Sequence, residues 1–304
     1  MRNLLPVIFV LSATITIGCG EQANDHLKRG IELGNMGEHD KGIEEFTEAI
    51  RVDPNLASAY HNRGLLWKEK GEHDKAIKDF TEAIRLDPNM PLSYFSRAFV
   101  FSAKNNQDKA IEDYTESIRL DPDYAFAYVN RAILWSARGE LDKAIDDNTK
   151  AIQLDPSLIR AYNNRGISWS RKGEHDKAIE DYTAAMRLDP NHVSAYINRG
   201  NAWQEKGEQD KAIEDYSEAI QLDPNFANVY VNRGISWGKK GDHDNAIKDY
   251  TEAIRLNPSL AIAYYNRGNS WQAKGETDKA NEDFSEAERL DPQFIDPLNQ
   301  VVLY

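Results

Sequence analysis

From residue 23 onward, bulky apolar and small residues recur at spacings of three and four, broken at regular intervals by Gly and Pro. Proline falls at Pro54, Pro88, Pro122, Pro156, Pro190, Pro224, Pro258 and Pro292, and every interval is 34 residues. With this proline set at position 32, the chain divides into eight units: 23–56, 57–90, 91–124, 125–158, 159–192, 193–226, 227–260 and 261–294. Positions 4, 8 and 11 share one face of a helix, as do positions 20, 24 and 27 of a second, so each unit predicts two amphipathic helices. Gly at position 15 (Asn105 once) tolerates the left-handed conformation that ends a helix. Asp at position 18 suits the positive start of the second helix, which stops before the proline. One unit cannot bury its apolar face alone, so stability must come from stacking on its neighbours.

The residues at these positions are themselves distinctive. Position 4 is Tyr from Tyr60 to Tyr264 and His26 in the first unit, and position 8 is always Gly or Ala. Position 11 takes all six tryptophans, with Leu33 and Phe101 in the other two units. Position 20 is Ala except Gly42, position 24 is aromatic except Asn148, and position 27 is Ala except Ser117. Small residues let backbones approach while the aromatics fill the space beside them. Over residues 23–294 this pattern resembles the tetratricopeptide repeat family. The resemblance implies an all-α, right-handed superhelical solenoid of helix-turn-helix units, in which the first helices line a concave groove that holds extended peptides.

Arg recurs at position 7 (Arg29 through Arg267) and an acid at position 23 (Glu45, then Asp79 through Asp283). An unpaired charge beside the aromatic face is costly, so these read as structural Arg–carboxylate pairs. Asn148, without the ring found in the other units, predicts looser packing in unit four.

Residues 1–18 are set apart: Arg2, then an apolar run from Leu4 to Ile17. Fourteen residues span roughly 21 Å as a helix, short of a bilayer core, which describes an export signal rather than a spanning helix. Its end, Ile15-Thr16-Ile17-Gly18-Cys19, resembles the bacterial lipobox, with Thr16 in place of the favoured Leu. The expectation is a signal peptide over 1–18, lipidation of Cys19 (the palmitate-type anchor of an exported lipoprotein), a tether at 19–22 and a C-terminal stub at 295–304. The alternative is ordinary cleavage near Gly18 or Gly20, giving a secreted or periplasmic soluble protein.

Composition narrows the function. Apolar residues are 40% and charged ones 29%, ordinary for a folded protein. A net charge of −13 argues against a nucleic-acid binder and a polybasic membrane clamp. A single cysteine excludes a disulfide framework and a thiolate metal cluster. No phosphate-cradling loop, HExxH pair or nucleophilic Cys stands out, so neither a catalytic residue nor a metal or cofactor is expected. His39, His73, His175 and His243 follow the repeat at position 17, which predicts solvated turns.

Function should then reside where the units differ, at groove positions 2, 5, 6, 9, 12 and 13. Position 6 carries Asn62, Asn130, Asn164, Asn198, Asn232 and Asn266, a row of amides able to bond a peptide backbone, or else the helices themselves. Units three and four place Leu92, Phe95, Phe99, Phe126, Val129 and Ile133 there, either a partner patch or interhelical packing. Unit five adds Arg160 and Arg171, a cation pair suited to a carboxylate or to plain solvation. The family's chaperone-tail clamp requires Lys at position 5 together with Asn at position 9 of one unit, and position 5 carries no Lys in any unit, so that clamp is absent. The leading expectation is a non-catalytic, envelope-anchored scaffold that holds a protein or peptide partner in the groove. The alternative is a structural protein that associates with itself, as a homodimer or longer, through an uncapped C-terminal unit.

Overall fold

The computed structural model describes residues 19–295, and the expected signal and most of the stub lie outside them. The described residues are helical, without strands, and divide into two compact units at Pro156. In the first unit the helices are α1 (Cys19–Asn35), α2 (His39–Val52), α3 (Ala57–Glu69), α4 (His73–Leu86), α5 (Pro91–Ala103), α6 (Gln107–Leu120), α7 (Ala125–Ala137) and α8 (Leu141–Leu154). In the second they are α9 (Ile159–Arg171), α10 (His175–Leu188), α11 (Val193–Glu205), α12 (Gln209–Leu222), α13 (Ala227–Lys239), α14 (His243–Leu256), α15 (Ala261–Ala273) and α16 (Thr277–Leu290), followed by a 3-10 turn at Pro292–Ile295. The helices of each hairpin pack on one another, and within each compact unit successive hairpins stack, the arrangement of a repeat solenoid. The segment expected as a tether, 19–22, forms the first turn of α1.

The turns follow the chemistry of their residues. Gly71 has φ +76° and Gly139 +80°, and Asn105 takes the same left-handed role at +58°. Within each hairpin the ring at position 24 lies against the small residue at position 8: a Cβ on Gly64 would sit 2.8 Å from Phe80 Cε1. In unit four the pair is Ala132 and Asn148 instead. Asn148 is buried, its Nδ2 donates to the Ala144 carbonyl at 2.9 Å, and its Oδ1 is left unpaired.

Three polar ties join the helices. Arg97 Nε and Nη2 donate to both oxygens of Asp113 at 2.7 and 2.8 Å, and Arg63, Arg131, Arg199, Arg233 and Arg267 do the same with Asp79, Asp147, Asp215, Asp249 and Asp283. The remaining Nη1 reaches the preceding repeat, as from Arg97 to Thr81 Oγ1 at 3.0 Å. The third tie was not anticipated: Asp40, Asp74, Asp176, Asp210 and Asp244, at position 18, each pair with the lysine at position 14 of the next repeat, and Asp108 pairs with Arg138. Lys70, Arg138, Lys206, Lys240 and Lys274 also lie over the tryptophan of their own repeat; Lys206 Nζ is 5.4 Å from the Trp203 ring.

The apolar contact between repeats comes from Ile at position 21 and Ile, or Met186 once, at position 28. Ile43 clusters with Ala59 and Leu66 of the next hairpin, and Ile111 and Ile118 with Ala127 and Leu134. The outermost repeats break this pattern. Asn281 and Glu288 replace the two isoleucines on α16, and Asp25 and Glu32 on α1 replace the small or apolar residues that occupy positions 3 and 10 of the other repeats. Asp25, Glu32, Asn281 and Glu288 are all exposed. On α16 the two docking positions are therefore polar, because the sequence changes there.

Candidate functional site

The groove positions lie on the odd-numbered helices, and the structure divides them into floor and surface. On α5 and α7, Phe95 and Val129 at position 5 are only 7% and 2% exposed, whereas Phe99 and Ile133 at position 9 are 40% and 38% exposed. Phe95 belongs to a core cluster with Ala98, Tyr114 and Leu134. Its ring meets Tyr124 edge-on at 4.9 Å and Tyr114 at 5.5 Å. Tyr124 in turn stands 5.9 Å from Phe126, which is partly buried against the same cluster. Burial in this stack pushes the Tyr124 hydroxyl up to about 12. Phe95 and Val129 are thus not available to a partner: position 5 faces the seam with neighbouring helices, and their rings and methyls are consumed in packing. Phe99 and Ile133 remain as exposed apolar ends over a packed floor, with Leu92 and Phe126 partly exposed at position 2.

Lys68, at position 12 of α3, borders this patch. Its ammonium lies 5.4 Å from the Phe99 ring and 3.1 Å from Glu69. Beside it, His61 is fully buried, with Nδ1 2.9 Å from Ser93 Oγ and its ring 5.6 Å from Phe80. Asn62 is also fully buried.

The asparagine row is not uniform. Asn130 turns back on its own helix, donating to the Phe126 carbonyl at 2.7 Å. In the second compact unit, Asn198 donates to Asn163 Oδ1 and Asn232 to Asn201 Oδ1, both at 3.1 Å. Tyr216 donates its hydroxyl to Asn201 at 2.7 Å and lies within 3.1 Å of Gln204 Oε1, which also accepts from Ser236. This linked set of amides was not legible as a network, because Asn201 and Gln204 lie at positions 9 and 12 rather than in the row. Asn164 and Asn266 are partly exposed, and their Nδ2 atoms are buried without a hydrogen-bond partner. Arg160 and Arg171 are exposed on α9.

The position-17 histidines are not fully solvated: His73, His175 and His243 are half-buried, and their Nδ1 atoms are enclosed without a partner. Among the described residues, no group of three or more His, Cys, Asp or Glu is placed to hold a metal ion, and no helix is long and apolar enough to cross a membrane. A cavity of about 470 Å³ is lined by Ile50, Tyr60, Arg63, Lys78, Asp79, Thr81 and Glu82. Its charged groups include the Arg63–Asp79 pair, so its lining is engaged in structure.

Comparison with known proteins places this geometry. Tetratricopeptide repeat models match residues 26–56, 57–90, 92–124, 159–192, 193–226 and 261–294, and a TPR repeat model matches 238–275. A curated relative, an uncharacterized protein of Methanocaldococcus jannaschii, is 36% identical over 45 residues, 15% of this chain. The chain spans about half the length of that relative, 52%. Among solved structures, MamA is 26% identical with a TM-score of 0.52, over 59% of this chain and 97% of MamA. YrrB, described as a TPR protein with an unusual peptide-binding site, is 24% identical at TM-score 0.52, over 60% of this chain and 94% of YrrB. The pilF protein of Pseudomonas aeruginosa shares the fold at TM-score 0.60 and 20% identity, over 72% of this chain and 97% of pilF. Such a fold is a scaffold consistent with protein or peptide binding. The sequence matches, which together cover well over half of the residues, and the stacked helical hairpins make this chain a member of the tetratricopeptide repeat family.

Proposed function

We propose that this protein is a non-catalytic scaffold that holds a partner protein or peptide against the first-helix face of its repeats, with the primary contact on α5 and α7. The observation that carries the reading is the exposure of Phe99 and Ile133 above the buried floor of Phe95 and Val129. Large side chains left open over a rigid base are the kind of anchor that dominates binding energy. The second compact unit, taken by itself, presents the exposed Arg160 and Arg171 at groove positions 2 and 13. A lipid on Cys19, following removal of residues 1–18, would fix the scaffold to a bacterial envelope membrane.

The binding test is affinity capture from an envelope extract with residues 20–304 beside a Phe99→Ser, Ile133→Ser variant. Both changed side chains are exposed, so the variant keeps its helical content. A partner held by the parent and lost by the variant supports the reading; a partner held equally by both moves the contact off α5 and α7. The anchor is tested separately by labelled palmitate: incorporation that persists in Cys19→Ala overturns the lipoprotein assignment.

A further inference from the structure

We infer that the last hairpin is covered by the chain's own residues 296–304, which lie across Phe284 where a following first helix lies on the internal hairpins of each compact unit. The ring at position 24 marks the difference. Phe46, Phe80, Tyr114, Tyr182, Tyr216 and Tyr250 are at most 3% exposed, and each is followed by the first helix of the next repeat. Phe284 on α16 is partly exposed. Its inner side is held as in the other hairpins, since a Cβ on Gly268 would sit 2.6 Å from Phe284 Cε1. Tyr265, at position 5 of α15, stands 5.7 Å from Phe284 and is partly exposed as well. At the same position Val231 on α13 is buried.

Two core clusters of the second compact unit give the register in which a first helix docks. Ile179 at position 21 clusters with Ala202 at position 10 of the following repeat. Ile220 at position 28 packs on the cluster that holds Val229 at position 3. Position 21 therefore meets 10, and position 28 meets 3. On α16 these are Asn281 and Glu288.

Charge and register then choose the occupant. The α1 helix of a second copy would bring Glu32 to Asn281 and Asp25 to Glu288, and like charges facing each other disfavour a contact. The chain's own segment continues the count from Ile295 at position 1. It brings Pro297 at position 3, Val301 at position 7 and Tyr304 at position 10. Spacings of four and three put these on one helical face, and proline is tolerated in a first turn. A tyrosine at position 10 suits this seam: its ring covers Phe284 while its hydroxyl serves the Asn281 amide. The 3-10 turn at Pro292–Ile295 lies against both α15 and α16, so the segment starts at the seam. Being tethered there, it meets the face at a high effective concentration. Val301 stands where a repeat carries Arg, which makes the segment a cover rather than a ninth repeat.

Residues 20–304 contain no cysteine, so paired cysteines report the contact. Asn281→Cys with Tyr304→Cys should close an intramolecular disulfide about tenfold faster than Lys279→Cys with Tyr304→Cys. Residue 279 is exposed and lies roughly 200° around α16 from residue 281. Deleting 296–304 should speed amide exchange in α16 about tenfold while the helical content of the other hairpins is kept. Equal disulfide rates for the two pairs would overturn the inference. A disulfide-linked dimer of the 281 pair would overturn it too, and would give the face to a second copy. Exchange in α16 that the deletion leaves unchanged would show that the segment covers nothing.

Discussion

Gly200 on α11 lies directly beneath the Tyr216 ring of α12, so that a Cβ at residue 200 would come within 2.7 Å of Tyr216 Cε1 and 2.9 Å of Cδ1. The contact also sets where the hydroxyl goes, since Tyr216 donates to Asn201 and lies beside Gln204 on the first-helix face. Ala is the better helix former by about 1 kcal/mol. Displacing a packed ring costs typically 1–3 kcal/mol. Gly200→Ala is therefore expected to destabilise the protein by about 1 kcal/mol in urea titration, and to weaken any ligand of the Asn201–Asn232 amides; a stabilised variant would contradict this packing.

Unit four reverses the arrangement, with Ala132 and a buried Asn148 that leaves its Oδ1 unpaired. A lone Asn148→Tyr must compete with the Ala132 methyl. The double change Ala132→Gly with Asn148→Tyr restores the pairing of the other units and removes an unsatisfied acceptor, whose burial costs about 1–3 kcal/mol. The double variant should unfold at higher urea than either single variant, and above the parent; double-mutant-cycle additivity would show that the two positions do not communicate.

The inter-repeat pairs predict an acid and salt response. Hydrogen bonding to Lys70 and Lys104, and then their charge, holds the Asp40 and Asp74 carboxyls below the usual value of 3.8. A carboxyl lowered in the folded state adds stability above its unfolded pKa, and that stability disappears as pH falls through the folded value. Both carboxylates are solvent-exposed, so the effect is small and screened. The urea midpoint of the parent should exceed that of Asp40→Asn, Asp74→Asn at pH 7, and the gap should narrow as pH falls below 3.8 and in 1 M salt. A gap unchanged at pH 3 would mean the pairs contribute through shape rather than charge.

Polar end faces predict that the parent keeps one mass across concentration. Replacing Asn281 and Glu288 by Ile rebuilds the docking surface of an internal repeat on α16, and sedimentation should then show concentration-dependent association. Concentration-dependent mass in the parent, lost on deleting residues 295–304, would instead favour the end-to-end protein.

The repeat grid, the left-handed turn residues and the Arg–Asp pairs are legible in the sequence because each answers a local demand made again every 34 residues. The candidate site is legible only in part. Position 5 lies at a seam, and whether Phe95 faces a partner depends on Tyr114 and Tyr124, which come from another helix and the turn after it. No spacing rule separates Phe95 from Phe99 when both lie on one apolar stripe four residues apart. The position-18 carboxylates likewise read as helix-start groups, while their charge is satisfied 30 residues later by a lysine, as between Asp40 and Lys70. Local periodicity carries no information about that interval until the hairpins are stacked.

The pairing of each position-18 carboxylate with the following position-14 cation makes the internal repeats interchangeable. An internal hairpin offers a cation backward and a carboxylate forward, so an in-frame duplication or excision leaves every junction chemically whole. Met36, at position 14 of the first repeat, lies outside that scheme, and in the last repeat Asn281 and Glu288 depart from the apolar docking positions instead. Array length in such a lineage can change by recombination in the middle, with the termini inherited intact, and the span available to a ligand then evolves in steps of one hairpin.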